Sequence, residues 1–285
     1  MSSRTASRFL LATPAIAMIA IFLIVPLFGM IEMSFRASGI NTPYGDGHTL
    51  AQYGRFFQDG FYLGVLAQTL ISAAVVTLLC LLVSYPLAWH LSQARGGKAL
   101  MLYAFIASPL MTGVLVRNFG WMILVALNGP LNQTLLGLGI VERPLRLMFT
   151  QGIVIVALVH VFVPFMVLPI NNALRNISPA LLEASASMGA SRRATFWRVI
   201  FPLSFPGVQS GMILVFILSV AAYVTPALLG GQMVQRMPTL IIQELTSTFA
   251  WPFGSTLALM MSASTILIVI AFALLTVRLM ERVKA

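Results

Sequence analysis

Charge is what this 285-residue chain has least of. Charged side chains are 8% of it and hydrophobic ones 59%, with a mean hydropathy of +0.95. A soluble domain carries about a quarter charged residues, so a water-soluble enzyme or binding module is excluded and the chain reads as an integral membrane protein. Acids are scarcer than bases, seven Asp and Glu against 17 Lys and Arg. Cysteine is nearly absent: the single Cys80 lies inside an apolar run, so no intrachain disulfide can form and a thiolate metal site is not expected. No G-x-x-x-x-G-K-[ST] phosphate loop occurs, so the chain is not expected to bind ATP in that way, and no H-E-x-x-H motif suggests a membrane-embedded metalloenzyme. Low-complexity segments and convincing internal repeats are lacking as well. One all-α transmembrane domain over residues 1–285 is expected.

What is present is a series of six apolar runs, at about 9–31, 64–91, 99–127, 152–173, 206–229 and 256–279. Each is long enough to cross a bilayer as a helix, which takes about 20 residues. The first follows Arg4 and Arg8, but its 23 apolar residues are too many for a signal peptide and no small-x-small cleavage site follows, so it reads as a retained helix. Arg4, Arg8, Arg95, Lys98, Arg175, Arg192, Arg193, Arg198, Arg278, Arg282 and Lys284 fall on one side, 11 of the 17 bases. The positive-inside rule makes that side cytoplasmic, with both termini on it and a multi-pass topology. The charge of +10 is then orientation signal, and nucleic acid is not expected as a partner.

Ion-coupled carriers usually hold acids or histidines near the bilayer centre. None of the seven acids lies mid-span here, and the lone mid-run His160 reads more readily as a helix-packing donor than as a proton relay. An ion-coupled secondary transporter is therefore the alternative reading, and a permease driven by a separate energy source the main one.

The place for such a force to enter is the loop at about 174–205, and within it the block EASASMGASRRATFWRVIFP, 183–202, the most polar and basic stretch of the chain. Ser178 before Pro179 is a cap followed by the residue best tolerated at a first helical position. The spacing predicts a short helix over 179–188, ended by Gly189, which tolerates the left-handed turn after a helix. Arg192, Arg193, Arg198 and Trp197 suit the headgroup surface, and small residues such as Ala184 and Ala186 with the adaptable Met188 suit a groove on a partner.

These residues resemble the coupling loop of binding-protein-dependent ABC importer permeases, E-A-A, Gly four residues on, then I-x-L-P. Glu183, Ala184, Gly189 and Pro202 match, while Ser185, Val199 and Phe201 replace Ala, Ile and Leu. The resemblance implies that the loop, with Glu183, Ala184, Ser185, Met188, Gly189 and Pro202, couples to a cytoplasmic ATPase. Over about 62–275 the chain is similar to the spermidine/putrescine-type branch, most distinctly at Val116-Arg117-Asn118-Phe119-Gly120-Trp121 and at 223–231, YVTPALLGG. It implies the type I ABC importer permease fold, six spans with a cytoplasmic coupling helix, in a bacterial inner membrane. A transport subunit rather than an enzyme is implied, with ATP and Mg²⁺ bound by an ATPase dimer and no cofactor in this chain. The implied partners are that dimer, a second and non-identical permease, a periplasmic solute-binding protein and membrane lipid. The implied solute is a polyamine or a related small organic molecule.

Candidate path residues are Arg117, Trp121, Tyr223, Thr225 and Pro226. The Tyr223–Pro226 stretch offers an aromatic ring, a hydroxyl and a carbonyl freed by proline in one turn. Along a continuous helix from Ala99, Arg117 would lie about 27 Å across a core about 30 Å thick. There it either snorkels to the headgroups or contacts a polar gate. Pro109, Pro164, Pro169 and Pro226 are expected to bend spans three, four and five, and Gly207 with Gly211 to let two helices pack closely.

Overall fold

A computed structural model describes residues 13–14, 17–39 and 42–284, with side chains as far as Arg278. Arg4 and Arg8, and the side chains of Arg282 and Lys284, lie outside the described residues. Among the described residues, regular secondary structure is helical apart from one β-bridge between Arg36 and His48. The helices are α1 (Ala17–Ser34), α2 (Ala51–Gln58), α3 (Gly60–Gln93), α4 (Gly96–Met111), α5 (Val114–Val125) and α6 (Pro130–Gly137), then α7 (Gln151–Arg175), α8 (Pro179–Ser187), α9 (Arg192–Val220), α10 (Met237–Thr246) and α11 (Trp251–Lys284). Six stretches among the described residues are long and apolar enough to span a bilayer. A helix satisfies its own backbone hydrogen bonds where no water can, which is why the apolar runs have this form.

The chain divides into two compact units, 1–64 with 240–263 and 65–239 with 264–285. In the first, polar side chains form the joints. The buried Ser34 hydroxyl meets Tyr53 Oη at 2.8 Å, and Thr256 Oγ1 donates to the Ser34 carbonyl at 3.3 Å. Arg55 lies over the Phe253 ring, 4.0 Å from its centroid, and donates to Tyr62 Oη at 2.9 Å. Arg36 pairs with Glu32 at 2.7 Å, one helical turn away. Apolar side chains of α1 such as Phe22 and Phe28 face outward, as on a helix bathed in acyl chains.

The second unit is built around α7, whose buried face includes Val154, Leu158, Met166, Val167 and Ile170. Helix α9 lies directly against it because two glycines remove the side chains that would hold it off. A methyl group on Gly207 would stand 2.6 Å from both the Pro169 carbonyl oxygen and Ala173 Cβ, and one on Gly211 would stand 2.8 Å from Met166 Sδ. The close-packing expectation for this pair holds.

Two of the expected spans are not continuous helices. The run 99–127 breaks at Thr112–Gly113, both of extended backbone, into α4 and α5. The run 206–229 is part of a helix that begins earlier, at Arg192, and ends at Val220; the chain then passes through Ala221–Thr225 into a wide π-turn, Pro226–Gly230. In that turn the N–H of Gly231 reaches five residues back to Pro226. Pro109 lies two residues before α4 ends and Pro226 opens the π-turn, and each withholds a backbone donor there. Pro164 and Pro169, by contrast, sit inside an uninterrupted α7.

Replacing Gly207 with alanine is expected to destabilise the chain by about 1–3 kcal/mol, the usual cost of overpacking a close contact. Gly97→Ala, where a methyl group meets nothing within 4 Å, should be close to neutral. Thermal unfolding of both variants in detergent checks the contrast.

Candidate coupling surface and path

The loop after α7 is built residue by residue as a fixed platform. At the end of α7, Arg175 donates through Nη2 to the Leu91 and Ala94 carbonyls, each at 3.2 Å, and lies over the Tyr103 ring. It thereby satisfies the carbonyls that end α3 and places a cation at the negative end of that helix. Ser178 occupies the N-cap position of α8 with extended backbone, and Pro179 follows at the first helical position. The expected side-chain cap is absent: Ser178 makes none, and only its carbonyl serves, accepting from Leu181 N at 3.1 Å.

The other end of α8 is closed by backbone bonds. Gly189 N donates to Ala186 O at 2.9 Å and Ala190 N to Ser185 O at 3.1 Å, with Gly189 at φ +73°. This is the paired Schellman arrangement, which favours glycine at that position. Ser191 Oγ then accepts from Ala194 N at 3.2 Å and starts α9. Ser185 and Thr195 share a hydroxyl hydrogen bond of 2.8 Å that ties α8 to α9.

Beyond it, Phe196–Ile200 form a π-turn just ahead of Pro202, whose ring has no N–H to offer a regular turn. Phe196 packs edge-on against Tyr85, Trp89 and Trp197, at 5.8, 6.0 and 5.2 Å between centroids. Tyr85 Oη meets Ser204 Oγ at 2.9 Å.

Against this anchoring, α8 itself is bare. Between Leu181 and Ala190 every residue is exposed except the half-buried Ser185, and Met188 is 87% exposed. Glu183 lies on this open surface. Two clefts flank the start of α8. One, of about 590 Å³, includes Trp89, Arg95, Arg175 and Leu182; the other, of about 550 Å³, includes Asn172, Asn176, Leu181 and Ser210.

The path candidates are only partly gathered. The Pro226–Gly230 turn packs against both α5 and α7. Trp121 on α5 meets the His160 ring on α7 edge-on at 5.8 Å, a ring contact where a hydrogen-bond donor was expected. Tyr223 is 37% exposed, whereas Thr225 is buried at 5% and Pro226 is buried beside it. Arg117 is half-buried and turns back along its own chain: Nη1 donates to the Pro109 and Thr112 carbonyls at 2.5 and 3.4 Å. Because α4 ends at Met111, these are carbonyls left open by the helix break, and the straight-helix placement of Arg117 does not apply.

The glycines of the 223–231 stretch are explained by geometry. A methyl group on Gly230 would stand 2.6 Å from Val234 Cβ, and Gly231 has φ +55° with the Phe149 ring against it. Among the described residues no group of three His, Cys, Asp or Glu side chains could hold a metal ion. Sequence reasoning missed the carbonyl-clamping roles of Arg117 and Arg175, and it placed Ser185 on the coupling surface without its bond to Thr195.

The family model described as "Binding-protein-dependent transport system inner membrane component" matches residues 2–284. The "Spermidine/putrescine transport system permease protein PotB" of Escherichia coli (strain K12) is 35% identical over 207 residues, 73% of this chain and 75% of that one. Its namesake from Haemophilus influenzae is 30% identical over 251 residues, 88% and 87% of the two chains. A chain in the crystal structure of a bacterial ABC transporter involved in the import of the acidic polysaccharide alginate superposes with a TM-score of 0.77 over 96% of each chain. At 16% identity, that likeness speaks for the fold alone.

Gly189→Ala is expected to loosen the end of α8 by about 1 kcal/mol, since a side chain at φ +73° meets the left-handed steric penalty. Hydrogen exchange in 179–195 should quicken, while that of α7 stays unchanged.

Proposed function

The chain belongs to the family of binding-protein-dependent transport system inner membrane components and is a multi-pass permease subunit of an ABC importer, a transport component rather than an enzyme; we propose that α8 is the point at which a separate cytoplasmic ATPase moves it. The observation that carries this reading is an apolar, open helix held at both ends. Exposed Leu181, Leu182 and Met188 with Glu183 offer a surface for a groove. The Ser185–Thr195 bond and the aromatic cluster behind it give that surface a stiff link to α9. In this reading Glu183, Ala184, Met188 and Gly189 meet the ATPase, Ser185 and Pro202 hold the platform, and ATP with Mg²⁺ belongs to the partner. Eleven basic residues on the side of this loop support cytoplasmic termini.

The assembly comprises an ATPase dimer, a second permease of different sequence and a solute-binding protein outside the membrane. Similarity to spermidine/putrescine permeases supports a polyamine or a related small organic solute. Exposed Tyr223 and half-buried Trp121 offer aromatic faces to ammonium groups, and carboxylates for them come from the other subunits. Arg117, Thr225 and Pro226 act at the path's edge by fixing the helix breaks that shape it.

Copurification from mild detergent tests the coupling surface. The wild-type chain should capture an ATPase, and Glu183→Ala or Gly189→Asp should weaken capture about tenfold or more, the equivalent of about 1.4 kcal/mol. Transport by the purified chain alone in liposomes under an ion gradient would overturn the reading. For the path, Arg117→Ala should cut solute uptake several-fold with assembly intact, and Arg117→Lys, which keeps one donor for the Pro109 carbonyl, should restore part of it. Normal uptake by Arg117→Ala removes that residue from the path.

A further inference from the structure

The larger of the two clefts beside α8 carries a charge that its own lining does not balance. It is formed where helices end: Trp89 and Gln93 close α3, Arg95 precedes α4, Leu174 and Arg175 close α7, and Leu182 belongs to α8. Its volume of about 590 Å³ falls within the range of about 300–1,000 Å³ found for small-molecule sites.

Two guanidiniums line it. Arg175 uses Nη2 on the Leu91 and Ala94 carbonyls, and its Nε and Nη1 have no partner among the described residues. The exposed Arg95 side chain makes neither a hydrogen bond nor an ion pair among them. No acid lines the cleft. The stretch 89–103 contains none, and 172–201 contains only Glu183. The one ion pair among the described residues, Arg36–Glu32, belongs to the other unit. A guanidinium matches a phosphate with two parallel N–H donors, so the chemistry of the cleft is that of a phosphate site.

The surroundings distinguish a lipid phosphate from a soluble one. Both α3 and α7 are long and apolar enough to span a bilayer, and a cleft at their ends lies where hydrocarbon gives way to headgroups. Trp89, half-buried in its wall, is a residue type that collects at that depth. Just beyond Arg95, Leu100, Met101 and Phe105 of α4 are 72%, 77% and 75% exposed. A soluble anion has no use for that apolar surface, whereas an amphiphile uses both. Basic pockets between spans bind acidic headgroups in this way.

We propose that the cleft holds the phosphodiester headgroup of one anionic phospholipid, bound by Arg95 and Arg175, with its acyl chains along α4. The lipid ties the turn between α3 and α4 to the root of α8. Its binding is independent of any ATPase at α8 and is measurable on the chain alone.

The test is thermal unfolding of the full-length chain in uncharged detergent, titrated with phosphatidylglycerol or with phosphatidylcholine of the same acyl chains. Phosphatidylglycerol should raise Tm saturably, and phosphatidylcholine should not. Glycerol phosphate at the same concentrations should leave Tm unchanged. Arg95→Gln removes a side chain without a protein partner, so it should fold normally and weaken the apparent phosphatidylglycerol affinity several-fold. Arg192→Gln, a cation outside the cleft, should not. Native mass spectrometry should show one phosphatidylglycerol retained by the wild-type chain and lost from Arg95→Gln. Equal Tm in the two lipids overturns the proposal and leaves the cleft to a protein partner. A glycerol phosphate shift as large as the lipid's overturns it in favour of a soluble phosphate. Equal weakening by Arg95→Gln and Arg192→Gln also overturns it, being the mark of diffuse surface attraction.

Discussion

The contact between α7 and α9 is the one on which the larger unit depends. In a bilayer, apolar side chains gain little by leaving lipid for one another, so helices hold together by packing backbone against backbone. Gly207 and Gly211 make that possible, bringing α9 onto the Pro169 carbonyl and the Met166 side chain. Two further placements follow from this line. Helix α8 lies between the end of α7 and the start of α9, and the Pro226 turn folds back against α7 from the other end of α9. A wider spacing would move both, although neither contains a glycine of this pair.

A second constraint is the cost of open carbonyls and N–H groups inside an apolar phase. The chain breaks its helices in several places, and side chains attend the breaks. Arg117 serves the carbonyls of Pro109 and Thr112, and Arg175 those of Leu91 and Ala94. Asn132 bridges Ala126 and Leu145 in the same way, donating through Nδ2 to both carbonyls at 3.1 and 3.0 Å. These residues would look like topology markers or pore charges if the helices ran straight. In a broken helix they become the missing half of the backbone hydrogen bonding.

Much of this was legible in the sequence, and the reasons differ by residue. The spans follow from runs of apolar residues, because only a helix of some 20 residues fits the bilayer. Helix α8 was legible because Pro179 and Gly189 are strong local punctuation, and both act where they stand. The Ser178 side chain did not take its expected role, since the carbonyl of the same residue already accepts from Leu181 N. The break at Thr112–Gly113 was hidden because hydropathy is blind to it: α4 and α5 are both apolar, and two residues between them do not interrupt the run. Ser185 was illegible as a joint because its partner Thr195 lies across a turn whose geometry only the fold defines. Buried Arg236, whose Nη1 donates to the Gln68 carbonyl at 2.9 Å, carried no local signal either, for that partner on α3 lies far away in sequence.

Helix α9 is set apart by its length. From Arg192 to Val220 it runs 29 residues, about 43 Å at 1.5 Å per residue. One end carries the hydroxyl bond to α8, and the other releases the chain into the Pro226 turn. The glycine contacts with α7 lie between those ends, where a pivot would sit. The end of α9 that meets α8 and the end that releases the Pro226 turn thus lie on opposite sides of its closest contact with α7.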